Sequence, residues 1–235
     1  MLFSPPLLEG TLVKRYKRFL ADVELADGRA LTVHCANPGS MLGLTQPGNR
    51  VWVSDSENPK RKLRYSLELV DVGGVLVGVN TNQPNRLAVE AIEKGRIPQL
   101  CGYRQLRTEV KYGENSRIDI LLEYDDAPDV YVEVKNVHFI RSPGLHEFPD
   151  SVTSRGAKHL GEMAREVAKG HRAVMLYVIQ RQDGDRFGFA SDLDPNYVKA
   201  FKEARSAGVE AIAIRCDVRT DGIDAVDLLP INIPA

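Results

Sequence analysis

RIDILLEYDDAPDVYVEVKNV, residues 117–137, holds two apolar runs separated by the acidic segment DDAPD (125–129). Ile, Val and Tyr recurring through both runs predict strands, and Asp and Pro between them predict a turn. Alternate residues of a strand share a face. Arg117, Asp119, Leu121 and Glu123 therefore stand on one side of the first strand, and Tyr131, Glu133 and Lys135 on one side of the second. Charge inside a buried strand is costly unless it is paired or holds a cation. Valines at these positions would cost less, so the charges call for a reason.

With DDAPD as the turn, Tyr124 pairs with Val130. Asp119 then stands opposite Lys135, and Glu133 is a diagonal neighbour at roughly 7–8 Å. A register shifted by two places Glu133 directly opposite Asp119. A shift by one would turn Glu133 to the apolar face, which burial disfavours. In either of the first two registers the three charges converge. Two carboxylates at that separation make a hard oxygen site suited to Mg2+ or Mn2+, with the Val134 carbonyl as a further ligand. Lys135 is placed to orient a water or to neutralise charge developing on phosphorus. The competing reading is an Asp–Lys ion pair on a solvated face, worth about 0–1 kcal/mol.

Composition sets the bounds. The chain has 235 residues, 43% apolar and 27% charged, as in ordinary soluble domains, and its net charge is −1. No apolar run is long enough to span a bilayer, and MLFSPPLLEG lacks a basic stretch leading into an apolar core. Cys35, Cys101 and Cys216 form no CxxC pair, which argues against a disulfide framework and a cysteine zinc site. A cytoplasmic, non-membrane protein is expected. Before residue 81 there are ten Lys and Arg against eight Asp and Glu; after it there are 21 against 24. The early basic residues cluster in VKRYKRF (13–19) and PKRKLRY (59–65), each with aromatic neighbours. Such mixtures suit nucleic acid, where cations meet phosphates and rings stack on bases. The candidate contacts are Lys14, Arg15, Tyr16, Lys17 and Arg18 in the first cluster, and Lys60, Arg61, Lys62 and Arg64 in the second.

The pattern changes near residue 81. Before it, five short strands with tight turns predict a small β-barrel or sandwich: TLVKRYKRFLADVEL, ALTVHC, RVWVSDS, RYSLELVDV and VLVGVN. NPGSM (37–41) reads as a loop. After it, helices are expected at 84–95, 154–170 and 196–208, and strands at 103–112, 171–181 and 209–218. Residues 138–150 read as a loop, and the tail has weak signals. The order α-β-β-β-α-β predicts a mixed α/β sheet, with domains at 1–81 and 82–235.

A strand Asp, a hairpin and then Glu-x-Lys resemble the PD-(D/E)XK nuclease superfamily, here Asp119, Glu133 and Lys135. The resemblance implies a further acid from the helix before the sheet, and Glu90 is the matching position. It also implies that the helix after the motif borders the site, so Arg155, Lys158 and His159 are candidate phosphate contacts. NPGSM, NTNQPNRLAVEAI, EVKYGENSRIDILL, VEVKNV, FPDSVTSRGAKHL and YVIQR together resemble the sugar fermentation stimulation protein A (SfsA) family over nearly the whole chain. That resemblance implies an OB-like barrel followed by a nuclease-like domain, non-specific DNA binding, and a link to sugar (maltose) utilisation. It leaves open a metal-dependent nuclease, a DNA-binding regulator that keeps the fold as a scaffold, and an RNA-directed nuclease or binder.

Overall fold

The computed structural model describes residues 1–113 and 116–233. Six strands come first: β1 (Leu8–Tyr16), β2 (Leu20–Leu25), β3 (Ala30–His34), β4 (Arg50–Asp55), β5 (Tyr65–Val72) and β6 (Val75–Gly78). They lie in the order β3-β2-β1-β4-β5-β6, and β3 also meets β5 through His34 and Ser66, which closes the first five into a barrel. The expected long strand across VKRYKRFLADVEL is instead a hairpin. Lys17 and Arg18 take φ of 48° and 63° and turn the chain, and Tyr16 pairs with Leu20. The alternation predicted through residues 14–19 therefore ends at Tyr16.

The chain continues with α1 (Pro84–Glu93), β7 (Gln105–Tyr112), β8 (Ser116–Glu123) and β9 (Val130–Val137). Next come β10 (Phe139–Ser142), β11 (Gly144–Phe148), α2 (Ser154–Ala168), β12 (Arg172–Ile179) and β13 (Gly184–Phe189). The last elements are α3 (Pro195–Ser206), β14 (Glu210–Val218), β15 (Ile223–Leu229) and β16 (Ile231–Asn232). The main sheet runs β15-β14-β12-β9-β8-β7, with β9, β12 and β14 parallel and the hairpin β7-β8 antiparallel. Residues 138–150, expected as a loop, contribute β10 and β11 to a second sheet, β10-β11-β13-β16. The partner strand β13 that makes β11 a strand lies some forty residues on, out of reach of a local reading.

Strand alternation sorts the sheet between two cores. Val132, Val134, Val174, Leu176 and Val178 face α1 and the barrel, where Trp52 and Leu69 join the same cluster. Val137, Met175, Tyr177 and Ile179 face α2 and α3, against Leu160, Met163 and Phe201. The caps are local. Thr153 accepts from the Gly156 N–H at the start of α2, and Asp194 accepts from the Tyr197 N–H at the start of α3.

Because Trp52 belongs to the core of the main sheet, barrel and sheet should unfold together. Urea unfolding followed by the fluorescence of Trp52, the sole tryptophan, and by far-UV circular dichroism is expected to give coincident transitions. Leu176→Ala should shift both by about 2–5 kcal/mol. Separated transitions would contradict the shared core.

Candidate functional site at the fork of two strands

The pairing of β8 with β9 is Leu122 with Val130, Leu121 with Tyr131 and Ile120 with Val132. The register with Tyr124 opposite Val130 is therefore not the one adopted; the chain takes the register shifted by two, in which Asp119 comes opposite Glu133. The ladder stops at Ile120. There the Val134 N–H donates to Asp119 Oδ2 at 2.7 Å, so a side-chain oxygen takes the place of a strand carbonyl. Val134 thus meets Asp119 through its N–H, and its carbonyl, the atom the sequence reading assigned to a cation, points to the same side of the strand. The other Asp119 oxygen accepts from Asn85 Nδ2 of α1 at 2.8 Å. Burial first, then the nearby Glu133 charge, raise the Asp119 carboxyl above its ordinary range.

Glu133 is 3% exposed and shares one oxygen between two donors. Lys135 Nζ lies 2.6 Å from its Oε1, and His159 Nδ1 of α2 bonds the same atom. Burial would raise this carboxyl, but the His159 hydrogen bond and the Lys135 charge outweigh it and hold Glu133 below its ordinary value. Arg155 Nε donates to His159 Nε2 at 3.3 Å. An Nε2 that accepts leaves the proton on Nδ1, so His159 in its neutral form donates to Glu133. The second oxygen of Glu133, Oε2, is buried with no hydrogen-bond partner among the described residues. Tyr112 stands nearby; burial first, then Glu133, Glu162 and Glu166, push its phenol up.

Glu90 is not part of this group. It pairs with the Met1 ammonium at 2.6 Å and with Lys94 at 2.8 Å, beside Asp224 of β15. Asn85 and Glu90 are five residues apart, which turns them roughly 140° around the helix. Asn85 faces the fork, so Glu90 cannot. The polar residue in the first turn of α1 was the available signal, and the superfamily pattern drew attention to an acid instead. His159 is also corrected. At 4% exposure it bonds Glu133 and is closed to a phosphate, while Arg155 and Lys158 on the same helix are exposed.

The barrel residues divide by role. Lys14 reaches Asp22 at 3.4 Å and lies over the Tyr16 ring. Arg15 is a structural pin, donating to the carbonyls of Arg18, Asn37 and Gly39 at 2.8–3.0 Å. Lys17 and Arg18 are exposed at the hairpin tip. Lys60, Arg61, Lys62 and Arg64 lie in the β4–β5 loop rather than on a strand face, and Arg64 grips Asp55 with two bonds.

The loop pinned by Arg15 also meets the second half of the chain. Met41 N donates to Asp150 Oδ2 at 3.2 Å, Ser40 Oγ donates to the Asp150 carbonyl at 2.8 Å, and His138 lies 3.4 Å from the Asp150 carboxylate. A Cβ on Gly39 would fall 2.5 Å from Asp150 Oδ2, so glycine is what lets the loop close. Between loop and sheet runs a groove of about 690 Å³.

Helix, three strands, helix and a parallel strand, with Asp119 at a strand fork and Glu133-x-Lys135 on the adjoining strand, define a PD-(D/E)XK nuclease-like fold. Comparison with known proteins makes the assignment particular. Residues 82–222 match the "Sugar fermentation stimulation protein RE domain" and residues 13–79 the "SfsA N-terminal OB domain". Sugar fermentation stimulation protein homologs of Brucella ovis and Brucella melitensis are each 59% identical over 232 residues, covering 99% of this chain and 98% of theirs. The solved structure of Pyrococcus furiosus SfsA, in complex with Ca2+, superposes with a TM-score of 0.89 at 26% identity, covering 99% of this chain and 98% of that one. The chain belongs to the SfsA family. No helix among the described residues is long and apolar enough to cross a membrane.

Two variants test the hydrogen bonds of the site. His159→Asn keeps a donor near the Nδ1 position, whereas His159→Leu leaves the buried Glu133 with Lys135 alone. His159→Leu is expected to lose about 1.5–3 kcal/mol more than His159→Asn in urea unfolding; equal losses would show that His159 acts only by packing. Asp150 tests the junction. Burial would raise its carboxyl, but the His138 contact and the Met41 N–H hold it down at about 2, against an ordinary 3.8. A depressed carboxyl stabilises the fold above its unfolded value, and this contribution is lost as pH falls through the folded one. Between pH 4 and pH 2 the wild type should lose about 2 kcal/mol more than Asp150→Asn; parallel stability curves would remove Asp150 from the junction.

Proposed function

We propose that this protein is a divalent-cation-dependent phosphodiesterase that acts on DNA with little sequence preference. The observation that carries this reading is Glu133 Oε2, a buried carboxylate oxygen with no hydrogen-bond partner among the described residues, opposite an Asp119 whose ionised carboxyl its charge disfavours. Two neighbouring buried carboxylates repel, and a bound cation is what relieves them. The residues present fit Mg2+ or Mn2+, held by Asp119 and Glu133 with water and phosphate completing the set. Among the described residues no third His, Cys, Asp or Glu joins them in a metal-holding group. The Pyrococcus relative solved with Ca2+ supports a hard-cation site in the family.

The cation supplies Lewis acidity at the phosphodiester and lowers the pKa of water. The remaining work falls to the chain. His159 and Lys135 hold Oε1 of Glu133, which leaves Oε2 for the cation. Asn85 and the Val134 N–H hold Asp119. The Lys135 ammonium stands where it can orient the attacking water and meet the charge that grows on the phosphoryl oxygens. Water attacks phosphorus and releases one proton to solvent, the bond from phosphorus to the leaving sugar oxygen breaks, and that oxygen takes a proton from solvent. The products are a phosphate monoester and a hydroxyl. The name its relatives carry, sugar fermentation stimulation protein homolog, supports a link between this DNA binding and sugar utilisation.

Calorimetric titration with Mn2+ and Mg2+, followed by incubation with labelled DNA, tests this. Wild type should bind the cation and cut; Glu133→Gln should lose both; Lys135→Ala should bind the cation yet cut about 100-fold more slowly or worse. Cation binding unchanged in Glu133→Gln, or DNA left uncut by a cation-loaded wild type, would overturn the assignment.

A further inference from the structure

The β7–β8 hairpin and its approach carry four basic residues that the proposed reaction does not use: Arg104, Arg107, Lys111 and Arg117. At the open end of the hairpin they are paired. Arg104 lies 2.9 Å from Asp125, and Arg107 lies 3.1 Å from Glu123. At the end beyond Asp119 they are not. Lys111 and Arg117 stand directly opposite each other in the ladder. Both are exposed, and neither makes an ion pair among the described residues. Arg117 gives one N–H to the Glu109 carbonyl at 3.2 Å, and the rest of its guanidinium is left for another acceptor.

Like charges directly opposite across an antiparallel pair destabilise it. A neutral residue at either position would suit the hairpin better, so folding gives no reason for the pair. The hairpin nonetheless holds both cations in place. Their neighbours Tyr112 and Ile118 are buried together with Leu121, and the Tyr112 ring packs on Tyr131 at 5.8 Å. A Cβ on Gly113 would lie 3.6 Å from Glu162 Oε1, so this end of the hairpin rests on α2. Glu109, a carboxylate on the same strand, takes φ of 55° and pairs with neither cation.

Position gives the two cations a use. Arg117 precedes Asp119 by two residues, so strand alternation sets them on one face, about 7 Å apart along β8. Lys111, as the cross-strand partner of Arg117, shares that face. Asp119 is partly exposed there, while Ile118 between them is buried on the other side. A phosphodiester reacting at Asp119 has flanking phosphates on the same chain, one step along. An ammonium and a guanidinium side by side match the charge and the acceptor oxygens of one such phosphate. We propose that Lys111 and Arg117 form a clamp for the DNA backbone phosphate that flanks the one cut. The inference rests on the nuclease reading above and adds the course of the backbone, along β8 toward the end of the hairpin.

Fluorescence anisotropy of a labelled DNA duplex tests it, on the full chain in Ca2+ across a salt series. The double variant Lys111→Ala with Arg117→Ala should bind about tenfold more weakly or worse. Its slope of log affinity against log salt should be shallower by about 1 to 2, the mark of a lost phosphate contact. Lys199→Ala, which removes an exposed cation on α3, should leave the slope as in wild type. Lys111→Glu turns the like-charge pair into an opposite one, so it should raise the urea midpoint while weakening DNA binding about tenfold or more. Thermal melts and Mn2+ calorimetry check that the double variant keeps its fold and its cation site. A slope in the double variant equal to wild type, or a lowered urea midpoint in Lys111→Glu, overturns the clamp and leaves the nuclease reading intact. No DNA binding by a wild type that binds Mn2+ overturns both.

Discussion

The hydrogen bond from the Val134 N–H to Asp119 Oδ2 is the constraint on which the rest of the site depends. A strand ladder wants a backbone carbonyl at that position. Supplying a side-chain oxygen instead lets β8 and β9 part after Ile120 and Val132, and the fork exposes one carboxylate on each strand to the other. Asn85 can reach Asp119 only because the fork opens toward α1, and His159 can reach Glu133 only because α2 lies on the opposite face. A regular ladder of valines would be more stable and would hold nothing.

The charges at the fork are arranged asymmetrically. Glu133 Oε1 is crowded with donors and Oε2 has none among the described residues, while both oxygens of Asp119 are held by amide donors. Burial disfavours both ionised groups, yet the His159 hydrogen bond and the Lys135 charge hold Glu133 below its ordinary value while Asp119 stays above its own. Two neighbouring buried carboxylates with opposite shifts are held at a cost in stability, as expected where function and stability compete.

The barrel and the sheet are joined by more than proximity. Trp52 and Leu69 enter the sheet's core, the Gly78 N–H donates to the Gln180 carbonyl, and Asp150 captures the loop 37–41. These contacts hold the groove's two walls in register. They also explain the glycines at 39 and 78, where a Cβ would lie 2.5 Å from Asp150 and from Gln180.

The alternation of RIDILLEY and VYVEVKNV was enough to put Asp119, Glu133 and Lys135 on one patch, because a strand's period of two leaves few choices. The spacing of apolar residues likewise placed α1, α2, α3 and the buried strands to within a few residues. Three things depended on tertiary structure. The register settled two residues from the turn-based one, because the ladder is fixed by packing on α1 and by the fork, and the acidic loop adapts. The fourth partner at the site is Asn85 rather than Glu90, because a helix's rotation about its axis is set by what its apolar face meets. Arg15 and His159, read as contacts for an external phosphate, are turned inward. Charge type is visible in a sequence, but whether a charge finds its partner in solvent, in a ligand or across the fold is decided only when distant segments meet.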